Sequence, residues 1–451
     1  MCIRDRFEAE SMPSSLRLPL IAVLGALFGV VVAAAGPQSF SKADRDLAHQ
    51  MLRNVASDVQ VSYYDAALHG VDWKDRVRQA NENIDKAESM DAAISEIAAL
   101  LDTLNDSHTN FFPPPRSNSY DYGFKLRVIG DRCYVVRVRP GSDAERKGIK
   151  TGDVVLTVND IRVSRKTLWR INYIVRQLRP QSGLRLTVAG EGVSQRQIDI
   201  AAKIEPSNAL KYFLHQGVNQ MVRDWGDAVE LMEPRFFEKG DDLLVVQLPA
   251  FTMSAEEVDH VLGKMRAHKG AVLDLRGNPG GFVDTVDRLI GGLFQHDLSI
   301  YDRVTRTGTK HVSVSGRGHS AFVGRFAVLI DSESASASEI LARAVQLERR
   351  GFVIGDRSAG MVMESQVHRH ELYTDSRTFY GASITEADLL MSDRKSLEHV
   401  GVEPDISLLP TAQDITAKRD PALSKAATLV GSQLTPEEAG TAFKELDPKQ
   451  Y

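Results

Sequence analysis

The stretch "DSESASASEILARAVQLERRGFVIGDRSAGMVMES", residues 331–365, decides how this chain folds. After the apolar run "RFAVLI" it reads as a small-residue turn, a helix, the buried strand "GFVIG" and a second turn. Three serines crowd the start of the helix, where a serine can act as a nucleophile if a base lies nearby. The ionisable groups near the second turn are Asp356, Arg357 and Glu364, so this stretch offers no evident base.

The same strand–turn–helix unit occurs upstream, which predicts a layered α/β core over residues 206–411. "DDLLVVQLPAF" is typical of a strand, and "SAEEVDHVLGKMRAHKG" is typical of a helix that Ser254 and Glu257 open with a capping box. "AVLDLRGNPGGF" is a buried strand that runs into a glycine turn. Residues 412–451 are polar and predicted to be a helical tail, with "TPEEAGTAFKEL" as its terminal helix.

Residues 36–118 are predicted to form a helical N-terminal domain. "DRDLAHQMLRNVASDV" and "SMDAAISEIAALLDTL" carry apolar residues at the spacing of an amphipathic helix. "PPPRSNS", residues 113–119, is a linker signal that separates this part from the next.

Composition limits the classes of function. A chain of 451 residues with 43% hydrophobic and 25% charged residues and a net charge of -5 is ordinary for a globular protein, and no basic run indicates a nucleic-acid partner. The only cysteines are Cys2 and Cys133, and Cys133 lies in the alternating strand pattern "DRCYVVRV" as a core residue. No Cys/His cluster has the spacing of a zinc site, so we expect neither a metal nor another cofactor.

The N-terminus resembles an export signal. "MPSSLRLPLIAVLGALFGVVVAAAGPQSF" combines a basic start, an apolar run and small residues, which predicts cleavage after Ala35 and a periplasmic or extracellular protein. The alternative is a retained membrane anchor over residues 18–35, and only then would the protein associate with a membrane. "MCIRDR" looks like a translated sequencing adapter, so we take Met12 as the true start and treat residues 1–35 as adapter and leader.

Residues 119–205 resemble a PDZ domain. The resemblance is most specific in "GSDAERKGIKTGDVVLTVNDIRV", which is preceded by short strands and followed by the helix "RKTLWRINYIVRQLR" and the strand "GLRLTVAG". The resemblance implies a groove beside Tyr122, Gly123, Phe124 and Lys125, where an extended peptide adds a strand and backbone amides hold its carboxylate. The alternative is a small β-domain whose groove is filled.

"AVLDLRGNPGGF" and "SASASEILARA" together resemble the C-terminal-processing peptidase superfamily, which contains tail-specific proteases, tricorn-core peptidases and retinoid-binding-protein repeats. "GVDWKDRV", "LLDTLNDSHTNFF" and "LEHVGVEPDI" extend the match over nearly the whole mature chain. The resemblance implies a multidomain α/β fold with a peptidase core of the crotonase/ClpP-like type.

The resemblance places a serine nucleophile at Ser336. Its small neighbours leave the side chain accessible, and the helix N-terminus directs amides and partial positive charge to the same place. The implied oxyanion hole joins the amide of Ala337 with that of Gly280 or Gly281, because glycine lets a backbone N–H approach a ligand closely. The alternatives are that the serines are caps or packing residues and that "RGNPGG" is only a tight turn.

The base is the main departure from the tail-specific proteases. Their lysine position, within a "G-K-G" turn, is Met361 here, and a thioether cannot take a proton at neutral pH. "NDSHTNFF" instead resembles the tricorn-core branch, which implies that His108 is the base and that Ser107 and Glu398 belong to its network. The alternative for His108 is a solvated histidine in a polar loop. Glu364 and Lys395 are further charged residues near the site, with a structural or substrate-facing role.

These residues predict an exported serine endopeptidase that acts on peptide or unfolded-protein substrates, with the PDZ-like domain binding substrate tails or gating access. Two rivals remain open. One is an inactive, peptide-binding pseudo-peptidase, and the other is a carrier of apolar ligands, which would require a large apolar cleft. The sequence does not indicate the oligomeric state.

Overall fold

The computed structural model describes residues 40–190, 194–207, 233–373 and 377–443. The predicted leader and the "MCIRDR" start lie outside these residues. Within the described ranges, no helix is long and apolar enough to cross a membrane.

The N-terminal part is helical, as the apolar spacing predicts. Ser41 and Asp44 form a capping box at the start of the first helix, and Ser89 caps the third. The buried faces of the helices pack together with a short strand that follows them. The elements are α1 (Lys42–Ser62), α2 (Trp73–Lys86), α3 (Met90–Asp102) and β1 (Asn110–Phe112).

The PDZ-like domain is a twisted sheet with strand order β3-β4-β5-β7-β8, so β3 lies at its edge. Its strands are β2 (Asn118–Asp121), β3 (Phe124–Ile129), β4 (Arg132–Val138), β5 (Val154–Val158), β6 (Ile161–Arg162), β7 (Gly183–Ala189), β8 (Arg196–Ala201) and β9 (Lys203–Pro206). Its helices are α4 (Asp143–Arg146) and α5 (Leu168–Tyr173), and a wider turn continues α5 over Ile174–Leu178. Strands β2 and β9 pair where the chain enters and leaves the domain.

The α/β core and the tail contain the remaining elements. The strands are β10 (Arg235–Lys239), β11 (Leu243–Gln247), β12 (Gly270–Asp274), β13 (Leu298–Thr305), β14 (Gly308–Val314), β15 (Arg325–Ile330), β16 (Phe352–Gly355), β17 (Met363–Tyr373), β18 (Arg377–Met391) and β19 (Ile406–Ser407). The helices are α6 (Ala255–Arg266), α7 (Val283–Leu293), α8 (Ala337–Leu347), α9 (Ala412–Thr416), α10 (Pro421–Leu429) and α11 (Pro436–Gly440).

One core sheet has the order β10-β11-β12-β15-β16-β19 and is parallel from β11 onward. Successive residues of β11 face opposite sides, so Leu244 and Val246 pack in the cluster with α6, α7 and α8, whereas Leu243 and Val245 pack against α10. Helices thus cover both faces, which explains the continuous apolar runs of the strands. The terminal helix is shorter than predicted within the described residues, since α11 ends at Gly440.

A second sheet has the order β1-β18-β13-β14, and β17 also pairs antiparallel with β18, over Arg377–Asp388. Strand β1 pairs antiparallel with β18, and Asn110 lies opposite Ser383. The loop just before β1 is therefore held beside the α/β core, although the chain between them is long. The sequence analysis did not identify β13, β14, β17 or β18.

Candidate active site

The start of α8 presents one of its three serines to solvent. Ser334 and Ser338 are completely buried, and their hydroxyls donate to the carbonyls of Leu275 and Asn278 at 2.8 and 3.0 Å. Ser336 is only partly buried, and it lines a large cavity. Of the three serines, Ser336 is therefore the one available to a substrate.

Ser336 has an unusual backbone conformation, with φ 55° and ψ -117°. Such a conformation costs a residue with a side chain about 1–3 kcal/mol and persists only where surrounding contacts hold it. Here the Ser336 amide donates to the carbonyl of Met361 at 2.9 Å and to the carboxylate of Glu339 at 3.0 Å. These bonds hold the residue in the turn that joins β15 to α8.

Glu339 organises this region and was not identified from sequence. It is completely buried, and its carboxylate accepts four hydrogen bonds. The donors are the amides of Ser336, Gly360 and Met361 at 3.0, 2.8 and 2.9 Å and the hydroxyl of Ser358 at 2.5 Å. Desolvation outweighs these bonds and raises the pKa of Glu339 to about 7. One carboxylate thus connects the helix start to the turn at residues 358–361.

Ser107, His108 and Glu398 form a continuous chain of hydrogen bonds. The Ser107 hydroxyl lies 2.8 Å from Nδ1 of His108 and 2.9 Å from Oε2 of Glu398. The amide of Ser107 donates to Oε1 of Glu398, and the amide of Val362 donates to Oε2, both at 2.9 Å. The structure therefore brings together three residues that the sequence separates by as many as 291 positions.

The direction of these bonds follows from the carboxylate, which is only an acceptor when ionised. The Ser107 hydroxyl must then donate to Glu398 and accept from Nδ1–H of His108. This assignment leaves Nε2 of His108 with a free lone pair. A ring in this tautomer can accept a proton at Nε2 and share the resulting positive charge with Glu398 through Ser107.

Burial lowers the pKa of His108, and the nearby charges of Glu398 and Asp106 oppose that shift in part. Asp106 also shapes the loop: one of its oxygens accepts from the amide of His108 at 2.7 Å, the amide of Thr109 at 3.1 Å and the hydroxyl of Thr385 at 2.7 Å. The neutral ring needed for a general base is thus favoured at physiological pH.

The glycine turn after β12 lies directly against the serine. A Cβ atom at Gly280 would lie 2.7 Å from Cβ of Ser336 and 3.1 Å from the amide nitrogen of Ala337. The Gly280 amide donates to the side chain of Asn278 at 2.8 Å, so it is already engaged. Of the two predicted glycine donors, Gly281 is the one that remains to join Ala337.

Met361 and the two alternative candidates occupy distinct places. Met361 lines the cavity, and its backbone bonds to both Ser336 and Glu339. Glu364 forms a bidentate ion pair with Arg303 at 2.7 and 2.8 Å, which indicates a structural role. Lys395 is exposed and does not belong to the lining of the cavity.

The predicted peptide-binding residues do not all face the groove. Tyr122 is buried and its hydroxyl bonds to the carbonyls of Val175 and Gln181, so its side chain belongs to the domain core. The Gly123 amide donates to Asp121 at 2.9 Å and is not free to hold a carboxylate in this conformation. Phe124 packs against the core, and Lys125 alone of the four lines the cavity.

A cavity of about 1460 Å³ contains Ser336 and His108 and extends to β3 and α5 of the PDZ-like domain. Its lining also includes the apolar side chains of Val286, Ile340 and Leu389. Among the described residues, no hydrogen bond joins the Ser336 hydroxyl to the His108 ring, but both line this cavity. In the ranges that the structure covers, no three His, Cys, Asp or Glu side chains are grouped so as to hold a metal ion.

Comparison with known families assigns the two domains. Residues 242–408 match the family described as "Peptidase family S41", and residues 121–199 match the family described as "PDZ domain". The chain carries a peptidase family S41 domain. This is a family of serine-type peptidases, and the S41 match contains Ser336, Glu339 and Glu398 but not His108.

Curated relatives include C-terminal-processing peptidases. The chain is 24% identical over 366 residues to the chloroplastic carboxyl-terminal-processing peptidase 3 of Arabidopsis thaliana, covering 77% of this chain and 66% of the relative. It is 28% identical over 275 residues to the tail-specific protease of Haemophilus influenzae, covering 56% of this chain and 36% of the relative. The matched region therefore spans from about a third to about two thirds of the length of these S41 relatives.

A solved structure shows a similar fold. Mature CPAF matches with a TM-score of 0.62 at 14% identity, covering 83% of this chain and 94% of that one. The likeness extends over most of the chain and concerns the fold alone.

Proposed function

We propose that the chain is an exported serine endopeptidase in which Ser336 is the nucleophile and His108 is the general base. The hydrogen-bonded chain from Glu398 through Ser107 to His108, which lines the same cavity as Ser336, is the observation that carries this proposal. The pKa shift of His108 supports it, because a base must be neutral before it can accept a proton.

In the first step, Nε2 of His108 takes the proton of the Ser336 hydroxyl as Oγ attacks a substrate carbonyl. The amides of Gly281 and Ala337 then stabilise the negative oxygen that forms. The imidazolium then gives its proton to the leaving amine, and the acyl-enzyme remains on Ser336. Water, deprotonated by His108, hydrolyses that ester and restores the serine. Ser107 and Glu398 keep the ring in the reactive tautomer.

The PDZ-like domain adds a place for the substrate chain. Strand β3 is an edge strand, so an extended peptide can pair with it, and its side chains share the cavity with Ser336. A carrier of apolar ligands is less compatible with this cavity, since many charged side chains line it.

A fluorophosphonate probe tests whether Ser336 is activated. We expect covalent labelling of the wild-type chain, no labelling of Ser336→Ala, and loss of labelling in His108→Ala. Labelling that persists in Ser336→Ala, or a wild-type chain that is neither labelled nor able to cleave an unfolded protein, would contradict the proposal. Met361→Ala is the matched control in the turn opposite the serine and should label normally.

Export is the second part of the proposal, and it rests on the leader up to Ala35. N-terminal sequencing of protein from the exported fraction should begin near Gly36. An intact segment of residues 18–35 recovered with membranes would establish an anchor instead.

A further inference from the structure

The PDZ-like domain differs in charge from the rest of the chain. Residues 121–199 contain sixteen Lys and Arg against eight Asp and Glu, a net charge of +8, whereas the whole chain carries -5. Such an asymmetry between domains indicates that the basic one meets an acidic partner.

Part of this basic charge lies on the side of the domain that faces the active site. Seven Lys and Arg residues of this domain line the cavity, and they come from β3, β4 and the segment around α5. They include Lys125, Arg137, Lys166 and Arg176. None of the described Asp and Glu residues of the domain lines it. The wall opposite the catalytic residues is therefore positive along its length.

Ion pairs neutralise only part of this wall. Lys125 and Arg127 both reach Glu333, at 4.0 and 2.8 Å, and Arg127 also lies 3.4 Å from Asp331. Arg165 pairs with Asp356, and Arg170 pairs with Asp102. Lys166 is exposed, and no described carboxylate pairs with it. Among the described residues, the whole lining of the cavity contains eleven Lys and Arg against four Asp and Glu, so its formal charge is positive. A confined cavity strengthens the field of such an excess relative to an open surface.

We propose that this positive wall selects acidic polypeptide segments as substrates and draws them toward Ser336. The inference rests on the proposed function for the cleavage step, but the binding preference does not require cleavage. A polypeptide fits better than a nucleic acid, because edge strand β3 offers backbone donors and acceptors that an extended peptide can pair. Attraction of this kind acts over about one Debye length, roughly 8 Å at physiological salt.

The test uses the full chain with Ser336→Ala, so that bound peptide is not consumed. The probes are a short unstructured peptide rich in Glu and copies with Gln or Lys at the same positions. By fluorescence anisotropy, we expect the Glu peptide to bind about tenfold more tightly than the Gln peptide at low salt. The difference should shrink as ionic strength rises from about 0.05 to about 0.5 M. Equal affinities of the Glu and Gln peptides would overturn the inference.

Two charge-reversal variants in the PDZ-like domain test whether the preference for the Glu peptide depends on the cavity wall. Lys166→Glu places a negative charge on the cavity wall and should reduce the affinity for the Glu peptide several-fold while leaving the Gln peptide unchanged. Lys150→Glu is the matched control, because Lys150 is exposed, lies in the same domain and does not line the cavity. Equal effects of both variants would mean that only overall charge matters, which would also overturn the inference.

A single-stranded oligonucleotide of similar charge tests whether the wall binds nucleic acid instead of an acidic polypeptide. We expect it to compete weakly with the Glu peptide, and competition stronger than that of unlabelled Glu peptide would assign the wall to nucleic acid.

Cleavage by the chain with native Ser336 is measured separately on the same peptides. If the peptides are cleaved but the Glu and Gln peptides bind equally, the inference is wrong and the peptidase proposal stands. If the Glu peptide binds more tightly but no peptide is cleaved, the peptidase proposal is wrong and the inference stands.

Discussion

Ser336 holds a backbone conformation that residues with side chains seldom adopt, and a single buried carboxylate holds it there. Glu339 binds the Ser336 amide on one side and the turn at residues 358–361 on the other. Ser358 extends this connection, because its hydroxyl accepts from the amide of Val402 at 2.6 Å. Ser336, the turn and the segment that follows Glu398 are thereby fixed to one another through Glu339.

Glu339→Gln should lower kcat more than KM, because an amide cannot accept from all four donors and the serine loses its support.

The pKa shift of Glu339 also makes a stability prediction. A folded-state pKa of about 7, above the ordinary 4.5, stabilises the fold below about pH 4.5, and that contribution is lost as the pH rises through about 7.

The variant lacks this titration, so its stability relative to wild type should improve from about pH 5 to about pH 8. Urea denaturation of both proteins at the two pH values measures the difference. A constant difference would show that Glu339 stays ionised throughout this range.

His108 makes the second prediction at this scale. Because burial lowers its pKa, activity should fall on the acid side with a midpoint below the ordinary 6.5. His108→Ala and Ser336→Ala should each lose roughly 10³-fold or more in kcat, and the double variant little further. Met361→Ala should cleave nearly as well as wild type. Circular dichroism checks folding, and substantial cleavage by His108→Ala would place the base at another residue.

At the scale of elements, the pairing of β1 with β18 brings the histidine to the serine. The loop before β1 is fixed to β18 by Thr385, which is completely buried. Its hydroxyl donates to Asp106 at 2.7 Å, and its amide donates to the hydroxyl of Thr109 at 3.1 Å. The position of His108 therefore depends on a strand that belongs to the peptidase core.

Thr385→Val keeps the shape of the side chain and removes its hydroxyl, leaving Asp106 short of one donor. We expect a loss of about 1–3 kcal/mol in the free energy of unfolding and a fall in kcat, with the binding of peptides to the groove unchanged. Thr378→Val, near the far end of the same strand, is the control. Equal activity of the two variants would show that Thr385 does not position His108.

The glycine turn after β12 gives a second prediction for elements. Gly280→Ala places a methyl group 2.7 Å from Cβ of Ser336 and at φ +102°, so it should abolish most activity. Gly240→Ala tests backbone strain alone, because Gly240 has φ +54° and open space around it. Comparable activities of the two variants would mean that the turn tolerates displacement of the serine.

At the scale of the molecule, three parts of the chain share one cavity. The helical part supplies His108, the S41 domain supplies Ser336, and the PDZ-like domain supplies the opposite wall. Arg127 of β3 pairs with Glu333 at 2.8 Å and with Asp331 at 3.4 Å, just before the nucleophile turn. Contacts of β3 are thus continuous with those of the turn that carries Ser336.

The PDZ-like groove predicts a preference for free C-termini. One peptide prepared as a free acid and as a C-terminal amide should bind the full-length Ser336→Ala chain with different affinities, the free acid more tightly. The prediction requires the Gly123 amide to exchange Asp121 for the peptide carboxylate, so Asp121→Asn, which weakens the competing acceptor, should widen the difference. Equal affinities of acid and amide would remove the carboxylate site from this loop.

The sequence by itself determined the family and many of the elements, but not β13, β14, β17 or β18. Helix caps, the alternation of apolar residues and the glycine turns are local signals, and they placed α6, α8, β12 and β15 correctly. Ser336 and His108 were singled out by the resemblance of their motifs to a peptidase family, because a serine or a histidine by residue type alone is more often a cap, a packing residue or a solvated side chain.

Only the tertiary structure decided how these pieces meet. The bond from Ser107 to Glu398, the four donors of Glu339 and the loss of the Gly280 amide to Asn278 all depend on packing that local periodicity does not encode. The charged wall of the cavity also exists only after folding, since its members are scattered along the PDZ-like domain. Local propensity acts over a few residues, whereas strand register and burial are set by contacts between distant segments, and those contacts built the site.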